Sequence, residues 1–261
     1  MDLRRKRIAN AERVRELLDS AFASRYHDVG RMVKAASMAV VLAEEARSEL
    51  PTDLIVAAWT EYGNALRISG RYEEAEKAVE RAAAEPTSEP STRVHLFEVS
   101  ASLYRNTGKF DRAVQLLSAA IEIQRSIGDS NAEARHHNHI GIVYLDSKDR
   151  GRALRAFQTA LDLLQPNAPL DLVASIGHNL METLIADGRF TAAASALVLL
   201  EPFYRRLADS ERIRPPIPTR RRPPFRREGG HPFRGESGHP FRREGGHFLK
   251  VVGMVAGLLS E

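Results

Sequence analysis

Apolar and polar positions along this chain recur with a long, fixed period. Five alanines, Ala35, Ala75, Ala113, Ala153 and Ala193, follow one another at spacings of 40, 38, 40 and 40 residues, each at the same place in a recurring pattern. Twelve residues before each marker stands a small residue (Ala23, Gly63, Ala101, Gly141), with Met181 as the exception. Nine before it stands a large one: Tyr26, Leu66, Tyr104, Tyr144, Leu184. Five before it comes glycine at Gly30, Gly70, Gly108 and Gly188, with Lys148 breaking the column. Three before it come Met32, Tyr72, Phe110 and Phe190, with Arg150 out of pattern. Four after the marker come Ala39, Val79, Leu117, Phe157 and Leu197, and seven after it Leu42, Ala82, Ala120, Ala160 and Leu200.

Each column predicts a piece of structure. A small residue and a large one three positions later share a helix face, the first letting a second helix approach and the second filling the space beside it. The glycine follows the end of that helix, where a left-handed cap costs an L-residue most. The marker and the residues four and seven after it form one apolar stripe on the next helix. The unit is therefore helix, glycine-containing turn, helix, and five units predict ten helices joined by short loops. Repetition at this period means stacked units, none of which buries its apolar face alone. An ordinary helical bundle would lack the fixed period.

The run Trp59-x-x-Tyr62-Gly63-x-x-Leu66, then Gly70-x-Tyr72-x-x-Ala75-x-x-x-Val79-x-x-Ala82 with Pro86 closing it, resembles a tetratricopeptide (TPR) repeat. The units around Ala113 and Ala153, the second followed by Pro166, resemble it nearly as well, and those around Ala35 and Ala193 lie in register. The resemblance implies an all-α fold: a right-handed α-solenoid of about five helix-turn-helix repeats over residues 10–207. The period exceeds the family's usual 34 residues. Longer units of this length resemble those of bacterial signalling proteins, in which such arrays bind peptides or regulate an attached effector. The extra residues are expected in the second helix and its exit loop.

Beyond the array the sequence changes character. Pro215, Pro216, Pro218, Pro223 and Pro224 rule out a helix there. The octets PFRREGGH, PFRGESGH and PFRREGGH then follow one another from Pro224 to His247. Residues 208–247, rich in Arg, Gly, Pro and His, bury too little apolar surface to offset chain entropy and are expected to be disordered. In 248–261, Phe248, Val251, Val252, Val255, Leu258 and Leu259 fall on one helical face, as in a short helix that folds back to cap the array, adsorbs weakly to a membrane or aggregates. Much of the net charge of +4 lies in Arg4 to Arg7 and beyond Arg212. Arg-Gly segments with interleaved Phe bind nucleic acid through phosphate pairing and stacking. A low-complexity extension from a shifted or truncated reading frame is the plainer reading.

Little points to chemistry. The chain has no cysteine, which excludes disulfides, thiolate metal sites and cysteine nucleophiles. It has no phosphate-loop motif, no H-E-x-x-H and no G-x-S-x-G. His136 and His139 share a helix face and with His178 would make three metal ligands, but nothing in the sequence fixes a carboxylate among them. His137 stands in the column of Trp59 and Phe97, a packing position. Glu44-Glu45 followed by Arg47 reads as surface charge. No enzyme, cofactor or metal is indicated. No signal peptide and no stretch of about 20 apolar residues appears, so a cytoplasmic location is expected.

In a TPR array the first helix of each unit lines the concave groove. That resemblance places Asn64, Arg67, Arg105, Asn138 and His178 on the ligand-facing rows. Asparagine grips a peptide backbone through donor and acceptor at once, and arginine forks onto carboxylates. The expected activity is a non-enzymatic scaffold that binds a peptide or protein partner of acidic character, as a bacterial signalling or assembly adaptor. Nucleic-acid binding through the basic tail, and service as the sensory part of a larger regulator, are the alternatives.

Overall fold

A computed structural model describes residues 3–198 and 200–201; the expectations for 208–247 and 248–261, the last residues of the array and Arg212 lie outside these. The described residues are all-α. The helices are α1 (Leu3–Ser24), α2 (Val29–Glu45), α3 (Thr52–Ile68), α4 (Tyr72–Ala83), α5 (Pro90–Asn106), α6 (Phe110–Ile127), α7 (Ser130–Asp146), α8 (Arg150–Asp162) and α9 (Leu170–Ala186). Residues 190–198, 200 and 201 are also helical, completing ten helices in five pairs. No described helix is long and apolar enough to cross a membrane.

The chain divides into two compact units, Met1–Ala156 and Phe157–Glu261. In the first, α1 pairs with α2, α3 with α4 and α5 with α6. The five marker alanines are all buried, between 0% and 7% exposed. Around Ala75 the core gathers Val56, Leu66, Ala78, Val79, Ala82, Leu96, Val99 and Leu103 from the three consecutive helices α3, α4 and α5. Small residues set the helix spacing: a Cβ placed on Gly63 would come 2.8 Å from Val79 Cγ1. In the second unit, buried Ala168, Val173 and Leu200 pack with Leu161 and Leu164.

The turns follow one recipe. The N–H of Gly70, Gly108, Lys148 and Gly188 bonds the carbonyl three residues back, and the N–H of Arg71, Lys109, Asp149 and Arg189 bonds the carbonyl five back. This is the Schellman cap, whose first residue is left-handed. The φ angles are 80° at Gly70, 75° at Gly108, 71° at Gly188 and 67° at Lys148. Lys148 therefore breaks the glycine column in sequence but not in backbone. The carbonyls five back belong to Leu66, Tyr104, Tyr144 and Leu184, the large residues of the repeat.

The first pair departs from the pattern. Helix α1 stops at Ser24, eleven residues before its marker, whereas α3, α5, α7 and α9 each stop seven before theirs. The turn thus comes about one helical turn early. Gly30 lies inside α2, and Ala23 and Tyr26 are exposed rather than packed. Fully buried Ala21 packs with Ala35 and Ala36 instead. Asp28 caps α2 by accepting from Arg31 N at 2.9 Å.

The extra residues of the long period do not sit only in the second helix and its exit. Helices α3, α5, α7 and α9 each have 17 residues. Helix α6 has 18 residues and passes to α7 through Gly128 and Asp129 alone, whereas α4 has 12 and a longer exit through Pro86. Glu44 and Arg47 are not free surface charges. Glu44 accepts from Arg47 Nε at 2.8 Å and Trp59 Nε1 at 2.7 Å, and Arg47 reaches Glu85 at 2.9 Å. The Arg47 hydrogen bond, aided by Trp59, brings the Glu44 carboxyl down to about 2 against the cost of burial. This cluster ties α2, α3 and the end of α4 together.

Candidate functional site

In the first unit α3 packs against both α1 and α5, while α2 and α4, like α4 and α6, stand further apart. A layer whose first helices are closer together than its second helices curves towards the first. The candidate face is therefore the concave side of α1, α3 and α5. Its polar side chains are placed by helical spacing: Glu61, Asn64 and Arg67 follow one another on α3, and His95, Glu98, Ser102 and Arg105 form one stripe on α5.

Asn64 and Arg67 are half-buried and joined, with Arg67 Nη2 donating to Asn64 Oδ1 at 2.9 Å and Nε at 3.3 Å. Asn64 also hydrogen-bonds Glu61. Glu61 Oε1 lies 2.6 Å from His95 Nε2. His95 Nδ1 lies 3.8 Å from Glu98 Oε2, and Glu98 Oε1 accepts from His136 Nε2 of α7 at 2.9 Å. One polar chain thus runs across α3, α5 and α7. A carboxylate, Glu98, does stand beside the histidine cluster; it comes from the preceding repeat.

Electrostatics follow from that order. Burial opposes charge on every member, yet Glu61 and Glu98 are held below the usual carboxylate range by their histidines. His95, against the cost of burial, is raised to about 10 by Glu61 and then Glu98. His139 packs edge-on against His136 with ring centroids 6.3 Å apart, and burial pushes it down to about 4. Among the described residues no group of three His, Asp or Glu side chains is arranged to hold a metal ion.

The remaining expected contacts are placed differently. Arg105 has a side chain only 9% exposed; its Nε lies 3.3 Å from Asp146 Oδ2 and has no hydrogen-bond partner. Burial lowers its pKa, partly opposed by Asp146. Asn138 is 2% exposed, so it belongs to the interior of α7 rather than to an open surface. His178 lies on α9 in the second unit, 3.5 Å from Glu182. His137 is partly buried and 3.9 Å from Glu133, as a packing position requires. Sequence reasoning missed Glu61 and His95 altogether, although both lie about one period from their partners.

Comparison with known proteins bears on the whole arrangement. Tetratricopeptide-repeat profiles match residues 95–165 and 56–84. No curated protein matches the chain by sequence. Among solved structures it is similar to BtubC (BKLC) from P. vanneervenii, at 19% identity and TM-score 0.52 over 88% of this chain and 100% of that one. It is similar to a putative kinesin light chain of Podosopora anserina with nearly identical TPR-like repeats, at 19% identity and TM-score 0.60 over 77% of this chain and 98% of that one. The apo form of RapI is likewise similar, at 13% identity and TM-score 0.60 over 76% and 73%. Helix pairs, small-residue columns, capped turns and profile matches agree: the chain is a tetratricopeptide-repeat protein.

Proposed function

We propose that the first unit binds a peptide or protein segment on the concave face of α1, α3 and α5, and serves as a non-catalytic adaptor. TPR repeats mediate protein–protein interactions, and the fold is a scaffold fold. The observation that carries the reading is the pre-bonded row Arg67, Asn64, Glu61 and His95, part-exposed on two adjacent helices. Side chains already held by hydrogen bonds lose little entropy when a partner arrives. Arg67 supplies the charge for a carboxylate of the partner, and Asn64 sits beside it for a backbone amide. Arg105 lies deeper and would meet an acidic group only at its exposed edge. A bacterial signalling or assembly role fits such an adaptor.

The test uses a displayed random peptide library enriched on the full chain. Asn64→Ala and Arg67→Ala should each weaken the enriched peptides about tenfold, the loss of roughly one charge-assisted hydrogen bond. Helical circular dichroism should be unchanged. Peptides that bind both variants as tightly as the parent chain would remove this face as the site.

A further inference from the structure

His95 is placed between two carboxylates that come from different helices. Its Nε2 faces Glu61 of α3 at 2.6 Å and its Nδ1 faces Glu98 of its own helix α5 at 3.8 Å. A neutral imidazole has one N–H and one lone pair. Whichever tautomer it chose, the lone pair would point at a carboxylate oxygen. Only the imidazolium presents N–H to both sides. Glu98 is shared further, since its other oxygen takes the N–H of His136 from α7. Glu61 also hydrogen-bonds Asn64, which Arg67 holds in turn, and Arg25, in the turn just after α1, adds its charge. Behind His136 stands His139, which burial keeps neutral, so α7 brings no second cation to compete at Glu98 from that position.

We infer that the proton on His95 braces α3, α5 and α7 together, so that the concave polar face is tight while this imidazole is charged and slack once it is neutral. Removing the proton turns one of two attractive contacts into a lone pair facing a carboxylate. The remaining N–H stays with Glu61 at 2.6 Å, but without the charge that contact weakens, and the hold on Asn64 and Arg67, which are fastened to Glu61, loosens with it. Glu98 keeps only His136. The effect therefore spans three consecutive repeats although one proton moves. The brace itself requires no partner; its bearing on peptide capture rests on the binding role proposed above.

The experiment is an NMR titration of the histidine imidazoles in the full chain between pH 5 and 12, with His95 assigned from the signal missing in His95→Gln. The chain has nine histidines, so this subtraction is practical. His95 is expected to remain protonated at pH 8 and to titrate towards about 10, well above the ordinary 6.5. Glu61→Gln should bring that midpoint down and, if His95→Gln does not fold, identifies the same resonance by its shift. A His95 midpoint near 6.5, or one that Glu61→Gln leaves in place, overturns the brace. Library-enriched peptides measured at pH 7 and pH 11, on either side of the expected midpoint, separate the two ideas. A raised midpoint with no peptide captured at either pH removes the binding role alone. Capture weaker at pH 11 than at pH 7 in the parent chain, with no such difference in His95→Gln, supports the link, and capture equally tight at both removes it.

Discussion

Lys148 offers the sharpest check on the repeat geometry. Its φ of 67° is the left-handed conformation that Gly70, Gly108 and Gly188 adopt at the same point of their own turns. An L-residue in that conformation is strained by roughly 1–2 kcal/mol, because Cβ crowds the following carbonyl. Glycine removes the strain but gives the unfolded chain more freedom, at a cost of roughly 0.5–1 kcal/mol. Lys148→Gly should therefore stabilise the chain by about 0.5–1 kcal/mol. For a folded array of this size that is about 2 °C in the melting midpoint. Gly108→Ala is the mirror experiment: an added Cβ meets nothing within 4 Å, so any loss comes from the backbone alone. It should cost a similar amount, and the double variant should melt near the parent chain, since the two turns share no hydrogen bond. Thermal and urea melts by circular dichroism provide the assay. Lys148→Gly that leaves the midpoint unmoved or lowers it would refute the shared-turn argument.

Gly63→Ala should destabilise by about 1 kcal/mol, since overpacking against the stiff Val79 outweighs the gain in helix propensity. Adding Val79→Ala should recover part of that loss, visible as non-additivity in a urea double-mutant cycle. Asp146→Ala should cost about 1 kcal/mol by leaving the deeply buried Arg105 guanidinium without a counter-charge, discounted because Asp146 is half exposed. Arg105→Met should cost less, and the order of the two urea midpoints is the readout. For pH, His95 is raised in the fold, so its contribution is full below about 6.5 and is lost as pH climbs towards 10. Glu61 and Glu98 are depressed, so theirs is present above about 4.5 and is lost on acidification. His139, pushed down to about 4 by burial, works the other way and costs stability as pH falls below about 6.5. Melting midpoints should therefore peak at about pH 6.5 and fall on both sides. The alkaline decline should amount to about 1 kcal/mol, because His95 is 41% exposed and solvent screens the pair.

The helix pairs were legible because burial imposes one residue class on each column. Ala75, Ala113, Ala153 and Ala193 are all fully buried, and no larger residue fits where two helices nearly touch. The first pair misled for a local reason: Asp28 offers a helix cap before the glycine is reached, so α2 starts early and Gly30 is spent inside it. Lys148 shows the converse, a turn dictated by the packing of its two helices against the preference of its own residue.

The polar chain was harder to see because its members obey no column. Glu61, His95, Glu98 and His136 are unlike their counterparts in other repeats, so alignment on the period treats each as noise. Yet their partners are spaced by almost one period: 34 residues for Glu61 and His95, 38 for Glu98 and His136. The same holds for Arg47 with Glu85 at 38, Asn10 with Glu49 at 39 and Asp53 with Ser88 at 35. Stacking explains it, since each helix face meets the equivalent face of the next repeat and a polar group turned that way finds its partner there. In such an array an unusual charged residue is best read against the residue one period away rather than against its sequence neighbours. By that rule His95 between Glu61 and Glu98 identifies itself: one acid a period upstream, a second three residues on along its own helix, and a proton required to satisfy both.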